Sequence, residues 1–138
     1  MPQMNKTILY QIYDFSSSHR LNSDNLTSDE NWNVYDKCNN LNGHGHDYYL
    51  EVGITGQIDP DTGMIIDLFE MDSKVKSLLS QLDYKHLNKE VPYFKNIIST
   101  GENIIQYLWN ELDKTFTNQQ LYYLKLWETN NNYFELTR

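Results

Sequence analysis

The sequence predicts an α+β fold in which helices cover one face of an antiparallel sheet. Three observations carry this prediction. Runs rich in β-branched and aromatic residues lie towards both ends of the chain, two stretches of helical period lie between them, and turn-forming clusters punctuate the whole. With 138 residues, 39% of them hydrophobic and 14% aromatic, the chain can bury one core, and no repeat or linker divides it. The expectation is a single domain over residues 1–138.

The first strand is TILYQIYDF (7–15), which combines β-formers with partial alternation. A long polar stretch follows (16–45), within which Ser28 and the acidic residues after it read as a helix start. Structureless loops rarely run so long, which marks the stretch as functional or partly helical. HDYYLEVGITGQI (46–58) is the second strand. The DPDTG turn (59–63) leads to MIIDL (64–68), read as the partner strand of a hairpin. From 69 to 82 the period becomes helical, with Phe69, Met71, Val75, Leu78, Leu79 and Leu82 sharing an apolar stripe. Residues 83–96 read as irregular. A second helix spans 98–116, capped by Ser99 or Thr100 and apolar along Ile104, Ile105, Leu108, Trp109 and Leu112. LYYLKLWET (121–129) and NYFELTR (132–138) form a closing hairpin around a run of asparagines.

Charge narrows the function classes. A net charge of −8 argues against nucleic acid or an anionic membrane as partner, since both require a basic footprint. Local Lys and Arg can still hold a small anionic substrate. There is one cysteine, Cys38, and no apolar run long enough to span a bilayer. MPQMNKTILYQIYDF lacks a basic, apolar leader pattern, so the expected location is a reducing, cytoplasmic one.

The chemistry-bearing residues gather around CNNLNGHGH (38–46). His44 and His46 are two apart at the entry to a strand, so both rings project to one side, where a single ion could meet them. A catalytic zinc takes three protein ligands and keeps a fourth position open, and His19 is the best third candidate. On spacing alone the pair fits either a metal site or a solvated loop. Cys38 lies in polar surroundings, with Lys37 and Arg20 expected to lower its pKa. Asp83 and Glu128 sit in or beside apolar stretches and Glu102 opens a helix, where spacing alone favours a structural over a catalytic carboxylate.

Six blocks together resemble the 6-pyruvoyl tetrahydropterin synthase family: FSSSHRL (15–21), KCNNLNGHGHDYYLEV (37–52), GQIDPDTGMIIDL (56–68), LDYKHLN (82–88), VPYFKNIISTGENIIQYLW (91–109) and WETNNNYFEL (127–136). They run in order over nearly the whole chain. The interval between His19 and Cys38 looks like that of the eukaryotic-type members. The resemblance implies the tunnelling fold, a four-stranded antiparallel sheet with two helices on one face. Three chains would close a barrel and two trimers would stack into a homohexamer, with sites shared between subunits. It implies zinc held by His19, His44 and His46, Cys38 as general base, and Glu128 anchoring the guanidine-like edge of a pterin. Thr100, Gly101 and Glu102 fall where the family's pterin pocket carries Ser-Thr-Thr-Glu-Asn, with Gly101 replacing a threonine. The implied reaction is conversion of 7,8-dihydroneopterin triphosphate to 6-pyruvoyl tetrahydropterin with loss of triphosphate. Position and charge make Arg20 and Lys37 the candidates to hold the triphosphate.

One departure stands out. The resemblance implies a Leu-Asp-His stretch whose Asp and His complete a relay that deprotonates the cysteine. This chain has Leu82-Asp83-Tyr84, which keeps the relay Asp as Asp83, and a phenol of ordinary pKa about 10 accepts protons poorly at neutral pH. Either His86 takes over the relay, or Tyr84 acts as an acid in a later step, or the activity is slow or altered. The alternatives to the main reading are a related pterin lyase, forming a carboxy or side-chain-cleaved product, and a weakly active or non-catalytic pterin-binding homologue.

Overall fold

A computed structural model describes residues 5–138; the part of the N-terminal reading that falls on residues 1–4 lies outside them. The elements in chain order are β1 (Ile8–His19), α1 (Ser28–Tyr35), β2 (His44–Thr55), α2 (Leu68–Leu79), β3 (Lys85–His86), α3 (Leu87–Glu90), α4 (Gly101–Thr115), β4 (Gln120–Thr129) and β5 (Asn132–Thr137). The sheet order is β3-β1-β2-β4-β5. The four long strands are antiparallel to their neighbours, as expected, and the two-residue β3 adds a short parallel fifth strand beside Ser17 and Ser18.

Period-two alternation sets the layers. Tyr48, Leu50, Val52 and Ile54 of β2 are fully buried on one face, as are Tyr13 and Phe15 of β1 and Leu124 and Leu126 of β4. Met71, Val75, Leu78 and Leu79 of α2 and Ile104, Ile105, Leu108 and Leu112 of α4 close over them. Each such aliphatic side chain contributes about 1.5–3 kcal/mol through burial. The opposite sheet face leaves Tyr10, Ile12, Tyr49 and Tyr133 exposed.

Three expectations are corrected. Residues 64–68 do not form a strand: Ile66 packs into the core, and the Asp67 carboxylate accepts the Phe69 amide to cap α2, so MIIDL is a helix entry. Phe69 leaves the apolar stripe at 88% exposed, because α2 starts at Leu68 and turns it outwards. The stretch 16–45 is not a loop at its ends, since β1 runs on through Ser16–Ser18 to His19 and pairs His19 with His44. Between these strands, α1 begins with a capping box in which Thr27 and Glu30 satisfy each other's amides, one residue before the expected Ser28. A 3₁₀ turn (Asp36–Asn39) then carries Cys38.

Candidate active site

Two strands place the histidines. His19 ends β1 and His44 opens β2 directly opposite, with His46 two residues further along the same face. Their ligand atoms all lie within 4.8 Å of one another, and the Nε2 atoms of His19 and His44 are 3.0 Å apart. Nitrogens around a tetrahedral zinc with bonds of ~2.0–2.1 Å stand about 3.3 Å apart, so the donor set fits such an ion. The chemistry of the donors agrees. The Nδ1 of buried His19 donates to the Ser99 carbonyl at 2.7 Å, which leaves Nε2 as a lone pair aimed at the cluster. Burial lowers the His19 pKa to about 4 against that hydrogen bond, and the His44 pKa is also lowered by burial and then by His46, so both rings are neutral donors at pH 7.

The loop from 20 to 43 brings the thiol to this cluster. The Leu21 amide donates to the Cys38 carbonyl at 2.9 Å, and the Asn39 amide side chain donates to Leu21 O at 2.7 Å. Gly43, at φ +76, makes the final turn into β2, a left-handed angle that suits glycine. The expected lowering of the Cys38 pKa is overturned. Partial burial raises it, then the charges of Glu128 and Asp36 add to the effect. Lys37 is exposed, so solvent screens its charge, and the Arg20 guanidinium is engaged with the Asn39 carbonyl through Nε at 3.0 Å.

Glu128, near the end of β4, bears electrostatically on Cys38, His44 and Tyr48, so thiol, carboxylate and imidazoles share one neighbourhood. Thr100 caps α4 by accepting the Asn103 amide at 3.4 Å, with Gly101 buried and Glu102 exposed in the first turn. Gly101 is required by packing, because a Cβ there would stand 2.0 Å from the Phe134 ring.

Asp83 and Tyr84 contribute no charge to Cys38, but Tyr84 lines a second hollow together with His46 and His86. The Ser16 amide donates to Asp83 Oδ1 at 2.8 Å, and the Tyr84 amide donates back to the Ser16 carbonyl at 2.6 Å. Tyr84 is 86% exposed and sits at φ +58, so residues 83–85 turn sharply and do not run extended. His86 faces Gly43, and neither of its ring nitrogens has a hydrogen-bond partner among the described residues. Within one chain the charges that raise Cys38 come from Glu128 and Asp36, not from Asp83.

Three further residues belong to this region. Ser99 orients His19 through its carbonyl, Asn88 binds the Ser99 hydroxyl at 3.0 Å and the Arg20 amide at 2.8 Å, and Tyr48 carries a buried hydroxyl with no partner among the described residues. Tyr48 was legible, since it continues the period-two face of His44 and His46. A backbone carbonyl such as that of Ser99 carries no signal in side-chain spacing.

A profile of the 6-pyruvoyl tetrahydropterin synthase family matches residues 8–138. The chain belongs to this family. Human 6-pyruvoyl tetrahydrobiopterin synthase is 44% identical over 119 residues, covering 86% of this chain and 82% of the human one. The enzyme of the same name from Poecilia reticulata is 41% identical over 123 residues, with 88% and 84% covered. The solved structure of Caenorhabditis elegans 6-pyruvoyl tetrahydropterin synthase superposes with a TM-score of 0.92 at 35% identity, over 100% of this chain and 99% of that one. Such a likeness makes the α+β layering a property of the family, and the histidine cluster lies within the matched residues.

Proposed function

We propose that this chain is a zinc-dependent lyase that converts 7,8-dihydroneopterin triphosphate to 6-pyruvoyl tetrahydropterin and triphosphate. The observation that carries the reading is the convergence of His19, His44 and His46 beside Cys38 and Glu128 in a chain of the synthase family. His19, His44 and His46 would hold the ion. Bound there, zinc supplies a Lewis acid for the substrate side chain and a positive charge that favours anions nearby.

The remaining roles fall to the protein's own groups. Glu128 pairs with the guanidine-like edge of the pterin and fixes the ring. That pairing engages the carboxylate in hydrogen bonds to neutral N–H groups, which weakens without cancelling one of the two charges that raise the Cys38 pKa. Cys38 then removes the proton from the substrate side chain as general base. Thr100 and the first turn of α4 offer backbone amides and a hydroxyl for the pterin edge.

The functional unit we infer is a homohexamer, a dimer of trimers, of the single domain 1–138 in the cytoplasm. The exposed position of Tyr84 and the outer edge of β5, which pairs with no strand among the described residues, support sites completed across subunits, with Asp83 and Tyr84 acting on a neighbour's Cys38. Among the described residues no helix is long and apolar enough to cross a membrane. Product analysis with 7,8-dihydroneopterin triphosphate tests the reading. A pyruvoyl product supports it, whereas a carboxy or hydroxymethyl product assigns a related pterin lyase. Substrate binding without triphosphate release makes the chain a non-catalytic homologue.

A further inference from the structure

The chain carries 19 acidic against 11 basic residues, yet one hollow beside the histidine cluster reverses that balance. The hollow, about 680 Å³, is lined by Arg20, Lys89 and Lys95, with Asp24 as its one carboxylate. Its size lies within the range of small-molecule sites. Its walls are continuous with the metal-binding segments. Arg20 directly follows His19, and Asn42 leads through Gly43 to His44. His86 lines it as well, and a Cβ on Gly43 would stand 3.0 Å from both His86 Nε2 and the His19 carbonyl oxygen.

The donors here are uncommitted. Lys89 and Lys95 form no ion pair or side-chain hydrogen bond among the described residues. The Arg20 backbone amide is held by Asn88 and its Nε by the Asn39 carbonyl, which fixes the guanidinium while its two terminal amino groups keep no such partner among the described residues. His86 adds an imidazole with both nitrogens unpartnered. Three basic side chains, one of them a preset guanidinium fork, suit a ligand with several negative oxygens in a row.

We propose that this hollow is a polyphosphate subsite in which Arg20, Lys89 and Lys95 hold the triphosphate arm of the substrate, an assignment that rests on the function proposed above. It replaces Lys37, which is not among the residues lining the hollow, with two lysines that lie far away in sequence. Lys89 and Lys95 act in binding the triphosphate arm equally before and during its departure, with no part in proton transfer.

Inorganic tripolyphosphate is the probe, titrated calorimetrically into zinc-loaded protein, with steady-state kinetics on 7,8-dihydroneopterin triphosphate alongside. Lys89→Gln and Lys95→Gln should each weaken tripolyphosphate about tenfold, the scale of one charge-assisted hydrogen bond, and raise KM by a similar factor. Zinc content and kcat should hold, and Lys76→Gln, on the exposed side of α2, should change nothing. Unchanged tripolyphosphate affinity and KM in the Lys89/Lys95 double variant of a protein that turns over would overturn the subsite. An equal loss in Lys76→Gln would do the same, by showing a general charge effect. Lysine-dependent tripolyphosphate binding in a protein that releases no triphosphate from the pterin would uphold the anion site and sink the proposed reaction instead.

Discussion

Gly101 stands where the resemblance to the family places a threonine, and a side chain there should damage the protein. A Cβ at this position would lie 2.0, 2.5 and 2.7 Å from three carbons of the Phe134 ring. Carbon contacts settle at ~3.5–4.0 Å, so the ring must retreat by roughly 1.5 Å. Phe134 packs against the core from β5, where it pairs with buried Leu126, so the retreat strains a filled site. Overpacking of this kind costs about 1–3 kcal/mol, while alanine for glycine in a helix returns up to ~1 kcal/mol. Gly101→Ala should therefore lose about 1–2 kcal/mol in urea denaturation at fixed protein concentration, seen as a lower midpoint with unchanged slope. In a Phe134→Leu background the same substitution should become neutral or stabilising, because the clashing ring edge is gone. If Gly101→Ala stabilises by the full helix-propensity gain in both backgrounds, the packing account of Gly101 is wrong.

Other residues give sharper functional readings. Asn88→Ala removes the group that binds both the Ser99 hydroxyl and the Arg20 amide, and should weaken zinc about 10–100-fold as supporting contacts do, measured by competition with a chelator. Cys38 in metal-free protein should alkylate slowly at neutral pH, with the rate rising only above the ordinary thiol range. Because Glu128 is one cause of the raised value, Glu128→Gln should shift that profile to lower pH, and an unmoved profile would remove Glu128 from the neighbourhood of the thiol. Tyr84→His should raise kcat by about 10–100-fold if a relay histidine is what the chain lacks, and His86→Ala should then reduce only the parent enzyme if His86 compensates. No change in either variant would place the relay elsewhere.

Much of this was written in local pattern. Alternation disclosed the core strands, and the helical period disclosed α2 and α4, because in both cases burial selects residue type directly. Spacing two put the rings of His44 and His46 on one side of a strand but left a metal site and a solvated loop both open, and it was the resemblance of the surrounding blocks that joined His19 to them. What failed had different causes. Ser16–Ser18 read as loop because their composition is polar, although Ser17 is buried, with its hydroxyl bound to the Leu82 carbonyl at 2.6 Å. MIIDL read as strand because apolar runs do not distinguish a strand from a core-touching helix entry. The thiol's electrostatics were misjudged because Lys37 is its neighbour in sequence while Glu128 is its neighbour in space. The hollow of Arg20, Lys89 and Lys95 draws on segments that only the fold brings together.

The central claim is that the histidine cluster, Cys38 and Glu128 form one metal-dependent lyase site. Its most direct test is a single titration of zinc into metal-free protein, following triphosphate release from 7,8-dihydroneopterin triphosphate. Release should rise in proportion to zinc and break at one ion per chain, and His44→Ala should abolish both the break and the activity. Full release without metal, or stoichiometric zinc binding with no release at any loading, would contradict the claim.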